Sequence, residues 1–331
     1  MAEDAGDPRE TPLHPRFCQR VIGHDEAFAT FEKPFRTGAL HHAWLITGPK
    51  GIGKASFAYS LARTVLSQGA DVQRTVSWIA ARSHPDLHVL ERAVSDSKSG
   101  KLKSEVAVDD VHAFTGFFAR TAGQGGWRIG LVDCADDLNK EGANALLKLV
   151  EEPPPRSLIF IINHEPGRVL RTLRSRCLRL ALKPLTGAQV ESVLSQLPLE
   201  KPPAHEAVKD VAELCRGSPG RALELLDSTG VDAYRTMISE GQLDAQARQK
   251  ISSLFANRAT VDADYRVFTD LVLGWAGDKA ASTPSSGRGL AMAQLSADLL
   301  RRRREVEGFN LDRRTAVLEV LASIQDALKA A

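Results

Sequence analysis

The feature that most narrows the folds open to this chain is a seven-residue loop, Gly48-Pro49-Lys50-Gly51-Ile52-Gly53-Lys54, set between an apolar run and a helical stretch. Ala43-Trp44-Leu45-Ile46-Thr47 is short, apolar and followed by glycine, the pattern of a strand buried on both faces. Lys54–Leu66 carries Phe57, Leu61 and Leu66 on roughly one face and reads as a helix. Glycines let successive backbone N–H groups curl around a phosphate. A lysine at the start of the following helix adds charge where the helix dipole already favours an anion. Strand, GxxxxGK and helix in that order predict an α/β domain with a parallel sheet. A plain glycine turn joining strand to helix is the alternative reading of the same residues.

The alternation continues on both sides of the loop. Asp25–Thr37 reads as a helix, Leu87–Leu90 as a strand, Ala93–Ser104 as a mobile Ser/Lys/Gly-rich loop and Val108–Arg120 as a helix. Arg128–Val132 follows as a strand, and Leu138–Val150 as a helix stopped by Pro153–Pro155. Leu158–Asn163 and Cys177–Ala181 complete the strands, and the pattern ends near Lys183-Pro184. Residues 186–228 hold three short helical patterns broken by prolines and by Gly217-Ser218-Pro219-Gly220. Residues 230–331 read as helical apart from a loop over Ala280–Gly289. The expected layout is a disordered leader over 1–16, an α/β domain over 17–184, a small helical domain over 185–229 and a larger helical domain over 230–331.

Composition removes several classes. An apolar run of about 18 residues would be needed to cross a bilayer, and none occurs. The start, MAEDAGDPRETPLHPR, lacks the apolar stretch of a signal peptide, so the expected location is the cytoplasm, with no membrane partner. Cys18, Cys134, Cys177 and Cys215 lie far apart with no CxxC, which argues against a disulfide framework and against a zinc site of the usual spacing. His84 and His88 alone do not make a tetrahedral site, so the expected metal set is empty. A formal charge of +2 gives no broad basic field, and no element that reads base sequence is visible.

The phosphate loop lacks two parts of a working ATPase. The residue after the lysine should offer a hydroxyl to Mg²⁺, and here it is Ala55. Ser56 is about 100° further round the helix and points elsewhere. Strand 128–132 delivers Asp133, a possible metal carboxylate, but Cys134 stands where ring ATPases place the glutamate that polarises water. Asp136 and Asp137 lie in the turn beyond. Losing metal and water activation removes most transition-state stabilisation. Two readings stay open: a loop that holds ATP or ADP without cutting it, and a loop that is now structural.

His41-His42-Ala43-Trp44, GPKGIGKAS, Ala143-Asn144-Ala145-Leu146-Leu147-Lys148 with Glu151-Glu152-Pro153-Pro154, and Thr172-Leu173-Arg174-Ser175-Arg176-Cys177 occur in that order. Together they resemble the clamp-loader branch of the AAA+ proteins, the branch that serves bacterial DNA polymerase III. The resemblance runs over residues 20–230. It implies an AAA+ P-loop domain, a helical lid and an all-α collar within a hetero-oligomer. The implied partners are gamma/tau and delta loader subunits and, through the complex, the sliding clamp and primed DNA. The expected role is a subunit with no hydrolysis of its own. A catalytically active loader ATPase of the gamma/tau type is the rival, and a metabolite kinase or a sequence-specific DNA binder fits less of the sequence. Many relatives carry a four-cysteine zinc module after the first helix, whereas residues 65–90 hold no cysteine.

The resemblance also assigns residues. Gly48, Gly51, Gly53, Lys54, Ala55, Asp133 and Arg221 would form a degenerate nucleotide site. Arg176, in Ser175-Arg176-Cys177, would act in trans, reaching the ATP of a neighbouring gamma/tau subunit. A planar guanidinium suits that task because it can make two hydrogen bonds to a γ-phosphate. From spacing alone, Arg168, Arg171, Arg174, Arg176, Arg179 and Lys183 also read as a solvated basic turn. Arg301–Arg304 points all round a helix and reads as a solvated or salt-bridged run.

Overall fold

The structure is a computed structural model that describes residues 7–96, 101–124, 126–164, 171–240, 243–284 and 286–329. The chain divides into two compact units, one of residues 1–202 with 216–221 and the other of 203–215 with 222–331. Residues 185–229 are therefore shared between them.

In the first unit the elements run α1 (Asp25–Arg36), β1 (Ala43–Thr47), α2 (Lys54–Leu66), α3 (Val72–Ala80) and β2 (Leu87–Glu91). A short hairpin of β3 (Val94–Asp96) and β4 (Lys101–Leu102) follows, then α4 (Val108–Phe118), β5 (Arg128–Asp133), α5 (Lys140–Glu151) and β6 (Ser157–Asn163). The unit continues with α6 (Arg171–Arg176), β7 (Leu178–Ala181) and α7 (Gly187–Gln196). The five-stranded sheet has the order β2-β5-β6-β1-β7 with every pairing parallel. Trp44 lies opposite Phe160 on one side and Leu178 on the other. Every residue of β1 and β6 is buried, because parallel strands are covered by helices on both faces. That is why AWLIT and SLIFIIN read as continuous apolar runs rather than alternating ones.

The fold expected from the sequence is the one present: a parallel sheet flanked by helices, with a helical C-terminal region. Three local differences have physical reasons. Residues 1–6 of the expected leader lie outside the described residues, but 7–16 are ordered rather than disordered. Arg63 donates to the carbonyls of Arg16 and Cys18, and Arg9 pairs with Asp7 and Glu91. Contacts this distant in sequence leave no periodic signal. The expected mobile loop at 93–104 contains the β3–β4 hairpin, with 97–100 outside the described residues. Helix α3, unforeseen, starts where the Asp71 carboxylate accepts from the N–H groups of Gln73 and Arg74 at 2.9 and 3.2 Å, an ordinary N-cap. Its nine residues bury only Thr75 and Ile79, too short a pattern to announce a helix. The His84-Pro85-Asp86 turn before β2 is structural, since the buried Asp86 carboxylate accepts from the N–H groups of Gly123 and Gln124.

The second unit holds α8 (His205–Leu214), most of α9 (Pro219–Leu226), α10 (Thr229–Glu240), α11 (Ala245–Ser253), α12 (Val261–Ser282), α13 (Gly287–Gly308) and α14 (Arg313–Lys329). Phe255, Tyr265, Phe268, Val272, Leu295, Val317 and Leu321 share one core. Three of the four arginines in the run on α13 are matched by acids of their own unit. Arg301 meets Asp298, Arg302 meets Glu319, and Arg303 meets Asp270 and Glu307. Among the described residues no helix is long and apolar enough to cross a membrane.

Candidate functional site

Strand β1 carries a group of chemical interest at each end. Its carboxyl end opens into the phosphate loop. Gly48, Gly51 and Gly53 have φ of +152°, +75° and +97°, conformations that L side chains rarely adopt. The turn they make sets Lys54 and Ala55 at the first positions of α2, with Gly53 as an N-cap that offers no side chain. The first N–H groups of a helix have no carbonyl partner within it, and such an end favours an anion.

Lys54 is 3% exposed. Its ammonium donates to the carbonyls of Gly48 and Pro49 at 2.7 and 2.8 Å, so it closes on its own loop. Burial pulls its pKa down to about 8, although Asp133 and Asp136 nearby favour the charge. From the other side, residues 216–221 press on the loop. The Gly220 N–H donates to the Gly51 carbonyl at 2.9 Å, and the Ser218 hydroxyl donates to the Lys50 carbonyl at 2.8 Å. A Cβ on Gly220 would stand 2.8 Å from the Gly51 Cα, and one on Gly51 would stand 3.1 Å from the Arg221 nitrogen. Backbone thus meets backbone, and the Arg221 backbone nitrogen lies beside the loop.

Asp133 ends β5 next to this loop. Burial, reinforced by Glu91 and Asp137, pushes its carboxyl up to about 6. Cys134 follows, its thiol shifted upward by burial and by Asp137 and Asp136, so it stays a protonated thiol that donates toward the Asp137 carboxylate at 3.4 Å. A protonated thiol is no base for water. Ala55 offers no hydroxyl, and the glycines and Lys54 fit a phosphate better than the set fits Mg²⁺.

The amino end of β1 carries Arg176. His41 and His42 lead into β1, and Arg176-Cys177 lead into its parallel neighbour β7. Arg176 therefore sits at the end of the sheet away from the phosphate loop, with five residues of β1 between the two ends, roughly 15 Å of strand. Its guanidinium is 41% exposed, pairs with Glu151 at 2.7 Å and donates to the Thr172 carbonyl at 3.1 Å. His42 fixes the end of α5 here through a 2.8 Å contact with the Val150 carbonyl. These groups line a pocket of about 570 Å³ with His41, Glu152, Ser175, Cys177 and Leu178. Of the other basic residues in this stretch, Arg179 donates to the Thr47 hydroxyl and Lys183 pairs with Glu26. Arg171 and Arg174 are exposed, and Arg168 lies outside the described residues.

Sequence reasoning missed Ser218 and Gly220 as closers of the loop, Glu151 as the partner of Arg176, and Asn163 and His164 at the end of β6. The Asp136 carboxylate accepts from the Asn163 side-chain amide at 2.7 Å and from the His164 N–H at 2.6 Å. The strand pattern had located Asn163. It could not say that β6 lies beside β5.

A parallel sheet with a glycine–lysine loop at a strand's carboxyl end defines a P-loop nucleotide-site fold. The model of a family described as DNA polymerase III, delta subunit, matches residues 23–186. The DNA polymerase III subunit delta' of Pseudomonas aeruginosa is 35% identical over 244 residues, covering 70% of this chain and 71% of that protein. Its Escherichia coli counterpart is 32% identical over 216 residues, 62% of each chain. A solved DNA polymerase III gamma subunit-related protein from Thermotoga maritima is 13% identical, with a TM-score of 0.44 over 90% of this chain and 99% of its own. The chain belongs to the DNA polymerase III delta-prime family.

Proposed function

We propose that this protein is a clamp-loader subunit that helps place a sliding clamp on primed DNA beside gamma/tau and delta subunits, without hydrolysing ATP itself. One observation carries the reading. Arg176, the arginine that the resemblance assigns to trans action, stands at the opposite end of β1 from the chain's own phosphate loop, which supports service to a nucleotide held by another protomer. Arg176 is half-exposed and its guanidinium faces an open pocket, as a trans-acting group must be. The chain's own loop supports nucleotide held without cleavage. Gly51, Gly53 and Lys54 would cradle the phosphates, Ala55 leaves the metal without a ligand, and Cys134 leaves water without a base. In this reading residues 17–184 are the P-loop domain, 185–229 the lid over it and 230–331 the collar that joins sister subunits.

The test is reconstitution with gamma/tau, delta, clamp and primed DNA. Arg176→Ala should cut clamp-stimulated ATP hydrolysis about tenfold or more, within the range a trans-acting arginine supplies. Arg174→Ala, its exposed neighbour, should leave the rate unchanged. Full activity in the Arg176→Ala complex refutes the trans role. Steady-state hydrolysis by the isolated chain, lost on replacing Lys54, would instead mark an active loader ATPase.

A further inference from the structure

The carboxyl ends of β5 and β6 bring together three groups, two of them near neighbours in sequence and the third 28–30 residues further on. The Cys134 Sγ, an Asp136 carboxylate oxygen and a His164 ring nitrogen all lie within 4.8 Å of one another. The His164 Nδ1 is 3.6 Å from the Asp136 Oδ2. That nitrogen is buried and has no hydrogen-bond partner among the described residues, an arrangement with a cost unless something else satisfies it. From these positions we infer that Cys134, Asp136 and His164 form a binding site for one divalent transition-metal ion, zinc by preference.

The chemistry of the donors selects the metal. A thiolate, an imidazole and a carboxylate are the mixed soft-and-borderline set that zinc takes, and they suit Mg²⁺ poorly. Zinc bonds of about 2.0–2.3 Å put tetrahedral ligands roughly 3.3–3.8 Å apart. The observed spacing needs only small side-chain movements to reach that range. Charge closes too: Zn²⁺ with one thiolate, one carboxylate and one neutral imidazole is neutral, which a buried position requires. On binding, the S–Zn bond replaces the S–H bond and the proton leaves to solvent.

The outer contacts are in place. Asp136 is oriented by the Asn163 amide and the His164 N–H, which still leave lone pairs on each oxygen. Asp137, which now accepts from the thiol, is held by Arg92 at 2.9 Å and remains so when the proton departs. Three protein ligands leave a fourth position for water. The ion would tie the 135–137 turn after β5 to the end of β6. It is separate from a nucleotide's Mg²⁺, which would call on Asp133 and a hydroxyl at position 55. The lack of a CxxC does not bear on it, because the ligands come from two strand ends rather than one local motif.

The experiment uses the purified full chain with no nucleotide. Equilibrium dialysis against Zn²⁺ should give one metal per chain. Co²⁺ in its place should show a thiolate-to-cobalt charge-transfer band, and Zn²⁺ should raise the melting temperature. Cys134→Ser should abolish the band, and His164→Ala should weaken zinc binding tenfold or more. Cys177→Ser should leave both unchanged. If Cys134→Ser fails to fold by circular dichroism, Cys134→Ala takes its place. Absence of saturable binding below millimolar Zn²⁺ overturns the site, and so does a band that survives in the Cys134 variant.

Discussion

At the carboxyl end of β1 a lysine is buried and donates to its own loop's carbonyls, while residues 216–221 lie against the glycines. At the amino end of the same strand an arginine stands two-fifths exposed over an open pocket, tied to one glutamate at the surface. The first end is built from close backbone contacts that leave no room for an added carbon at Gly48, Gly51 or Gly220. The second is built from side chains that can be rearranged at little cost. The difference shows how one strand of a P-loop fold can carry a tightly packed charge at one end and an accessible one at the other. Loop residues are held by backbone and carbonyl contacts, whereas the Arg176 side chain is presented outward.

That contrast can be broken by substitution, and the largest effect should come from Gly220. Gly220→Ala places a methyl against the Gly51 backbone, which cannot swing aside as a flexible side chain would. A loss of about 1–3 kcal/mol is expected from overpacking of this kind, read by denaturant unfolding of the whole chain. An unchanged midpoint would mean that residues 216–221 and the loop are not in tight contact.

Lys54 should come next. In a working ATPase this lysine serves the phosphates. Here Lys54→Met strips two carbonyls of a donor and should cost about 1–2 kcal/mol, whereas Arg176→Ala, which breaks only a surface pair, should cost less than about 1 kcal/mol. Equal stability losses would erase the distinction between the two ends. The pH dependence sharpens it. The folded pKa of Lys54 is lowered to about 8 from 10.5. Between those values the unfolded chain binds the proton and the folded chain does not, so stability gains as pH rises from 8 toward 10.5. Below pH 8 the lysine is charged in both states and that gain is absent. Lys54→Met should lack this rise when the two unfolding profiles are compared.

The smallest effect belongs to the arginine run on α13. Arg303→Ala removes partly buried pairs to Asp270 and Glu307 and should change stability by about 1 kcal/mol or less. It should also leave the salt dependence of DNA binding by the assembled loader unchanged, because those arginines are matched within their own unit. A shallower salt slope would show that they meet phosphate instead.

Much of this architecture was legible from residues alone. β1, β5 and β6 were found because strands covered on both faces must be apolar throughout, and α2 was found because glycine and lysine punctuate its start. The loss of ATPase parts was equally plain, since Ala55 and Cys134 are single positions whose chemistry needs no coordinates. What stayed hidden depends on sequence-distant contacts. Nothing in Gly217-Ser218-Pro219-Gly220 says that its backbone will rest on Gly51. The order of ordered turns over 7–16 rests on Arg63, some 45 residues on. Helix α6, under two turns with half its residues basic and only Leu173 buried, has too little apolar period to be seen. Strand neighbours are likewise invisible, so Asp136, Asn163 and His164 could not be assembled in advance.

The Glu151–Arg176 pair has a final consequence. A carboxylate at the surface holds a guanidinium by about 1 kcal/mol or less, enough to choose its heading but not to keep it. A triphosphate offers far more negative charge and several oxygens at once. In the proposed trans role Glu151 is a holster: it sets the heading of the arm without holding it against a stronger anion.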